Sequence, residues 1–203
     1  MKQYKTETGL FRRRDNMTVM LGIVLLGLGL SFCTFLFSFL YLSWINKMAS
    51  PAGKIPTIFL FSTLLIGVSS YTLEQAGKFL KQDNFLAYRR MLGLTLFLGT
   101  AFIAFQLWGW AILQTKGAYL IGSFFWAYLY LLSGFHILHV VVGLFFLAWR
   151  LRVSHKNKTY INSFVYNINP PNQLKWKLLT RYWHFIGIVW GVVFLFLRLS
   201  NAT

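Results

Sequence analysis

Five stretches of this chain carry no Lys, Arg, Asp or Glu: Asn16 to Asn46 (31 residues), Ile55 to Leu73 (19), Met91 to Thr115 (25), Gly117 to Trp149 (33) and Tyr182 to Leu197 (16). A helix needs about 20 apolar residues, within a range of about 17 to 25, to cross a bilayer, so four of the runs are long enough. The fifth is short, but Arg181 and Arg198 bracket it, and long basic side chains snorkel to head groups while their stems stay in lipid. With 57% hydrophobic and 19% aromatic residues, the composition is that of a helical integral membrane protein. The expected architecture is all-α: one membrane domain over residues 1–203, an integral bundle of five transmembrane helices near 17–44, 56–77, 91–113, 119–149 and 182–199.

The basic residues set the expected orientation, because cytoplasmic loops retain Lys and Arg. Sixteen lie in the N-terminal tail, the second-to-third loop and the fourth-to-fifth loop, against four (Lys47, Lys54, Lys116, Arg198) on the other side. That split places the N-terminus in the cytoplasm and the C-terminus in the periplasm. It also accounts for the net charge of +16 without nucleic acid, since juxtamembrane cations are attracted to anionic lipid at about 1 kcal/mol each. The polar, basic tail leads into a run about twice the length of a signal h-region, with no small-residue cleavage site, so it reads as a retained first helix. Cys33, inside that helix, is the only cysteine; it permits no intrachain disulfide and is expected to be a buried apolar filler.

Turn residues divide the runs. Ser50, Pro51, Ala52, Gly53 and Pro56 separate the first two, and Gln114 to Gly117 make a tight link between the third and fourth. The long connection, a cytoplasmic loop over about 151–180, contains the polar stretch Ser154 to Thr159 and a Pro170-Pro171 pair that disfavours helix at that point.

Few side chains are suited to chemistry. Glu74 is the one acidic residue beside an apolar run, and an intramembrane carboxylate is a proton-relay candidate. Lys78 follows at i+4, which favours an interfacial ion pair instead. His136 and His139 share a helix face within the fourth run, and His184 lies in the fifth. Haem is commonly held by residues converging from facing helices. Counting about 1.5 Å per residue, His139 is about 16 Å and His136 about 21 Å from Arg150, whereas His184 is about 5 Å from Arg181. That mismatch in depth argues against a shared haem, and a zinc site would lack Cys, Asp or Glu ligands. The alternative is histidines hydrogen-bonded within the bundle to Ser, Thr, Tyr or backbone groups. His155, in the basic loop, is expected to be exposed.

Trp108, Trp110, Trp126, Trp149, Trp183 and Trp190 fall largely near span ends, as an interfacial belt would. Gly187 and Gly191 form a G-x-x-x-G, a weak signal for close helix approach. There is no nucleotide loop, haem-attachment motif, catalytic triad signature or ring of acidic residues.

Four segments, in order, resemble subunit III of the haem-copper respiratory oxidases, the cytochrome c oxidase family: Ser69 to Ala76 (SSYTLEQA), Arg89 to Gly99 (RRMLGLTLFLG) with Gln106, Ser133 to Gly143 (SGFHILHVVVG), and Tyr182-Trp183-His184-Phe185 with Val189-Trp190. The last two carry most of the specificity, and the likeness extends from about Phe59 to Leu199. The chain is similar to the family's shorter bacterial five-helix form. The resemblance implies a multi-pass protein of the bacterial inner membrane, a non-catalytic accessory subunit beside catalytic subunit I of a terminal oxidase that reduces oxygen to water. It implies no cofactor in this chain, haem and copper in partner subunits, and phospholipid bound between helix groups, here between the first two and the last three spans. His136, His139, His184 and Trp183 match family positions, and Arg150, Arg152 and Lys156 fall near basic positions that hold lipid phosphate. Where the family usually has Asp this chain has Gly187, and where many members have Glu it has Gly109; both changes are consistent with tighter helix packing. The accessory subunit of a nitric oxide reductase carries similar signatures, and a haem-binding membrane cytochrome is the alternative that rests on the histidines alone.

Overall fold

A computed structural model describes residues 2–45, 54–120 and 123–202, with side chains from Asn16 onward. The turn residues Ser50 to Gly53 lie outside the described residues. The described chain is helical: α1 (Lys2–Ile45), α2 (Ile58–Lys81), α3 (Phe85–Thr115), α4 (Phe124–Lys156), α5 (Tyr160–Ile168) and α6 (Pro170–Ala202). Helices satisfy their own backbone polar groups, which is what an apolar surrounding demands. Within α1, α3, α4 and α6, segments of 30 to 33 residues are long and apolar enough to cross a membrane. α2 has 24 residues but is diluted by Ser62, Thr63, Ser69, Ser70, Thr72 and Glu74.

Local chemistry sets the corners. Between α2 and α3, Asp83 takes a left-handed backbone (φ 56°), which a short polar side chain tolerates, and Asn84 caps α3 by accepting a bond from Ala87 N at 3.1 Å. After α3, Gly117 supplies the positive φ (75°) that lets the chain reverse.

The connection expected over 151–180 is instead mostly helical. α4 runs on to Lys156, α5 fills the middle, and α6 begins at Pro170. The two prolines start a helix rather than prevent one, because the first N–H groups of a helix have no intrahelical acceptor and Pro loses nothing there.

α2 and α3 form the most extensive helix pair; α6 packs on α2, α4 and α1, and α1 leans on α6 and α4. The expected grouping of two spans against three therefore does not hold, since the second helix pairs with the third and the first with the last. α1 is attached through Phe39, whose ring meets Phe124, Phe125, Tyr128 and Phe196, and through a 2.9 Å hydrogen bond between Ser38 and Tyr128. Its Cys33 is exposed rather than buried, because few α1 side chains face the bundle.

Ser62, Thr63, Ser69 and Thr72 of α2 point inward and tie the bundle together. Gln106 Nε2 donates to Ser62 Oγ (2.8 Å), Thr72 and Thr95 share a bond (2.8 Å), Trp183 Nε1 donates to Ser69 Oγ (3.1 Å) and Trp190 Nε1 to Thr63 Oγ1 (3.0 Å). Such interhelical bonds average about 0.6 kcal/mol each, so they set register while packing supplies most of the adhesion.

Candidate functional site

The tryptophans differ in burial, with Trp110 half-buried between the extremes. Trp108 and Trp149 are exposed, whereas Trp126, Trp183 and Trp190 are buried and so do not belong to an interfacial belt. Trp183 owes its place to two glycines: a Cβ at Gly99 would come within 2.8 Å of its ring and one at Gly143 within 2.9 Å. α3 and α4 thus offer bare backbone on either side of an indole from α6, and its N–H reaches α2.

His136 is fully buried in an aromatic box of Phe32, Phe102 and Trp190, the last 5.0 Å away between ring centroids. Neither ring nitrogen has a hydrogen-bond partner among the described residues, contrary to the expected bonded histidine. Its face of α4 meets rings, and the one indole N–H beside it is already given to Thr63. His139 does bond its own helix, with Nδ1 2.6 Å from Phe135 O, and its carbonyl accepts from the Tyr182 hydroxyl at 2.9 Å. His184 stands apart from both, in the wall of a cleft at the other end of the bundle with Arg181. Among the described residues no three His, Cys, Asp or Glu side chains come together.

The cleft encloses about 690 Å³ between α2, the end of α4, α5 and the start of α6. Its wall carries five basic side chains (Lys78, Lys81, Arg150, Lys177, Arg181) against two acidic ones, Glu74 and Asp83. Lys78 lies 3.2 Å from Glu74, with both side chains more than half exposed, an arrangement worth only about 0–1 kcal/mol.

Arg150 is the organising residue. It is 6% exposed, its Nε donates to Tyr88 Oη (2.9 Å), its Nη2 to Asn167 Oδ1 (2.7 Å), and its guanidinium lies over the rings of Tyr166 (5.2 Å) and Trp176 (5.7 Å). No carboxylate pairs with it among the described residues, and its buried Nη1 has no partner there. Burying an unpaired charge is costly, and two hydrogen bonds and two ring faces offset part of that cost here. Arg152 and Lys156 do not share that wall; both are exposed on α4.

Of the residues singled out in the sequence, then, Arg150 and His184 line one cleft, His136, His139 and Trp183 sit in or beside the core, and Arg152 and Lys156 face outward. Sequence reasoning missed Tyr88, Asn167, Tyr166 and Trp176. The available signal was Arg150 itself, the first charge after 33 uncharged residues, followed by the polar aromatic segment Tyr166 to Gln173.

Gly109 and Gly187 are both close-packed, but unequally. A Cβ at Gly109 would meet the Phe59 ring at 2.7 Å, while one at Gly187 would meet Ser70 Oγ at 3.2 Å. Gly191, the other half of the G-x-x-x-G, has nothing within 4 Å of a Cβ.

No protein-family model matches the chain. Individual relatives do. It is 26% identical to cytochrome bo(3) ubiquinol oxidase subunit 3 of Buchnera aphidicola, over 98% of this chain and 97% of that protein. It is 27% identical to cytochrome c oxidase subunit 3 of Corynebacterium diphtheriae, over 90% and 87% respectively. The probable quinol oxidase subunit 3 of Staphylococcus saprophyticus is 24% identical, over 73% of this chain and 69% of that protein. With its apolar spanning helices, the chain is a multi-pass bacterial membrane protein, similar over most of its length to subunit 3 of cytochrome c and quinol oxidases.

Proposed function

We propose that the chain is the cofactor-free accessory subunit of an aerobic terminal oxidase, packed beside the catalytic subunit that reduces oxygen to water, and that it holds a phospholipid head group in the cleft around Arg150. α2 serves as the fifth span in this reading, its polar side chains turned toward α3 and α6, and the cleft opens on the cytoplasmic side, where the basic residues concentrate. The observation that carries the lipid reading is the buried Arg150, held by Tyr88 and Asn167 with one nitrogen unpartnered, in a wall rich in cations. A phosphate supplies the charge-assisted acceptor that this guanidinium lacks. The role proposed for the subunit is to stabilise its partner, with the lipid filling the gap between helices.

Arg150→Gln is expected to strip tightly held phospholipid from the purified complex. Loss of a hydrogen bond to a charged group costs about 1.5–3 kcal/mol, a tenfold or greater loss of retention. Arg152→Gln, outside the cleft, leaves retention unchanged. Phosphate analysis of delipidated complexes checks both. The double variant Lys177→Gln, Arg181→Gln repeats the test without disturbing Tyr88 and Asn167. Equal phospholipid in all the preparations contradicts the lipid reading.

A further inference from the structure

α5 has its polar side turned inward. Ser163 is buried; its hydroxyl donates to Asn157 O (2.5 Å) and accepts from Arg89 Nη2 (2.9 Å), and Arg89 also donates to Asn157 O (2.7 Å) and Ser154 Oγ (3.1 Å). Asn167, one turn on, accepts from Arg150 and donates to Ser163 O (2.8 Å). The opposite face presents Ile161, Val165 and Ile168, spaced i, i+4 and i+7 on one stripe and 67%, 64% and 54% exposed. A helix on a water-facing surface turns such a stripe toward the core. Here the arginines at the end of the bundle have claimed the polar face, and the aliphatic face is left outside.

The charge around the stripe indicates its partner. Lys156 and Lys158 precede α5, Lys175 and Lys177 follow it, all four are exposed, and no acidic residue occurs after Asp83. α5 is joined through three residues to the end of α4 and through one to the start of α6, which holds it at the end of two long apolar helices. An aliphatic face flanked by lysines at that level is the pattern of a helix lying in a membrane interface. We infer that α5 is an interfacial anchor: Ile161, Val165 and Ile168 enter the acyl boundary of the adjacent leaflet, and the flanking lysines hold anionic head groups. Ile168 and Lys177 also border the cleft, whereas Ile161, Val165, Lys156, Lys158 and Lys175 are not in its wall, so a label at Val165 reads the stripe and not a lipid in the cleft.

A nitroxide on Val165→Cys, in the full chain with Cys33→Ala, tests the placement. The label is read by collision with oxygen and with a water-soluble nickel chelate, in phosphatidylglycerol–phosphatidylcholine vesicles, for the chain alone and for the complex that copurifies with it. The oxygen-to-nickel ratio is expected to be several-fold higher than at a Gln82→Cys reference in both preparations, and to fall when phosphatidylglycerol is omitted. Nickel access equal to that at Gln82 overturns the inference, since the face is then in water. A label in the complex that is immobilised and shielded from both reagents also overturns it, in favour of a protein partner. A ratio indifferent to phosphatidylglycerol removes the head-group contacts. If Val165→Cys disturbs folding, Ile161→Cys on the same stripe carries the label.

Discussion

Trp183→Ala is expected to cost the purified protein about 3–5 kcal/mol, the range for removing a buried aromatic side chain. The indole is fully buried between Gly99 and Gly143, so its loss opens a hole where α2, α3, α4 and α6 meet. The neighbours cannot close it cheaply, because the two glycines bring no side chain to fill the space. Trp183→Phe keeps most of the ring volume and gives up the bond to Ser69, whose hydroxyl still donates to Ile66 O at 2.7 Å. That change is expected to cost about 1 kcal/mol, the net worth of one hydrogen bond. Thermal unfolding of the three proteins in one detergent measures both differences. An alanine variant as stable as the parent would show that the ring does not hold the helices together.

The second large effect concerns Gly109 and Gly187. Gly109→Glu is expected to abolish accumulation in the membrane. Its Cβ would sit 2.7 Å from the Phe59 ring and 3.1 Å from Ile58, overpacking that costs about 1–3 kcal/mol before the carboxyl is buried at several more. Gly187→Asp meets a hydroxyl rather than a ring, since Ser70 Oγ would lie 3.2 Å from the new Cβ and can donate to the carboxylate. It is expected to assemble. Phe59 fills the place a larger residue 109 would need, so Phe59→Ala is expected to restore part of the accumulation of Gly109→Glu. Membrane content of the variants in parallel checks the order; a Gly187→Asp variant worse than Gly109→Glu contradicts it.

What was legible in the sequence was whatever depends on runs and ends. Uncharged stretches located the long apolar helices, and the ordered segments around Ser133–Gly143 and Tyr182–Phe185 carried the likeness to oxidase subunit III. The spacing of Glu74 and Lys78 announced contact within one helix. What was hidden depends on which face of a helix meets which neighbour. Position near a span end made Trp183 and Trp190 look interfacial, because composition does not register that bare backbone at Gly99 and Gly143 admits a ring. The polar residues of α2 weaken its apolar signal for the reason that makes α2 central, since they bond to α3 and α6. Pro170 and Pro171 read as breakers because a propensity scan does not know that they open a helix. His136 departed from expectation because a buried imidazole is ordinarily bonded, and only the packed structure shows three rings around it. The Arg150 cluster draws Tyr88, Asn167 and Trp176 from three helices, a convergence that no local spacing encodes.

In the role proposed here, this chain contributes packing and lipid, not redox chemistry, to an oxidase. The most direct test of that claim is purification of the tagged chain in mild detergent, with mass spectrometry of what accompanies it and haem and copper analysis of the complex and of the separated chain. The expected result is copurification with a large haem- and copper-bearing catalytic subunit that reduces oxygen, the metals and haem staying with that subunit when the chain is removed. Haem or copper retained by the separated chain, or a copurifying assembly without such a subunit, would contradict the claim.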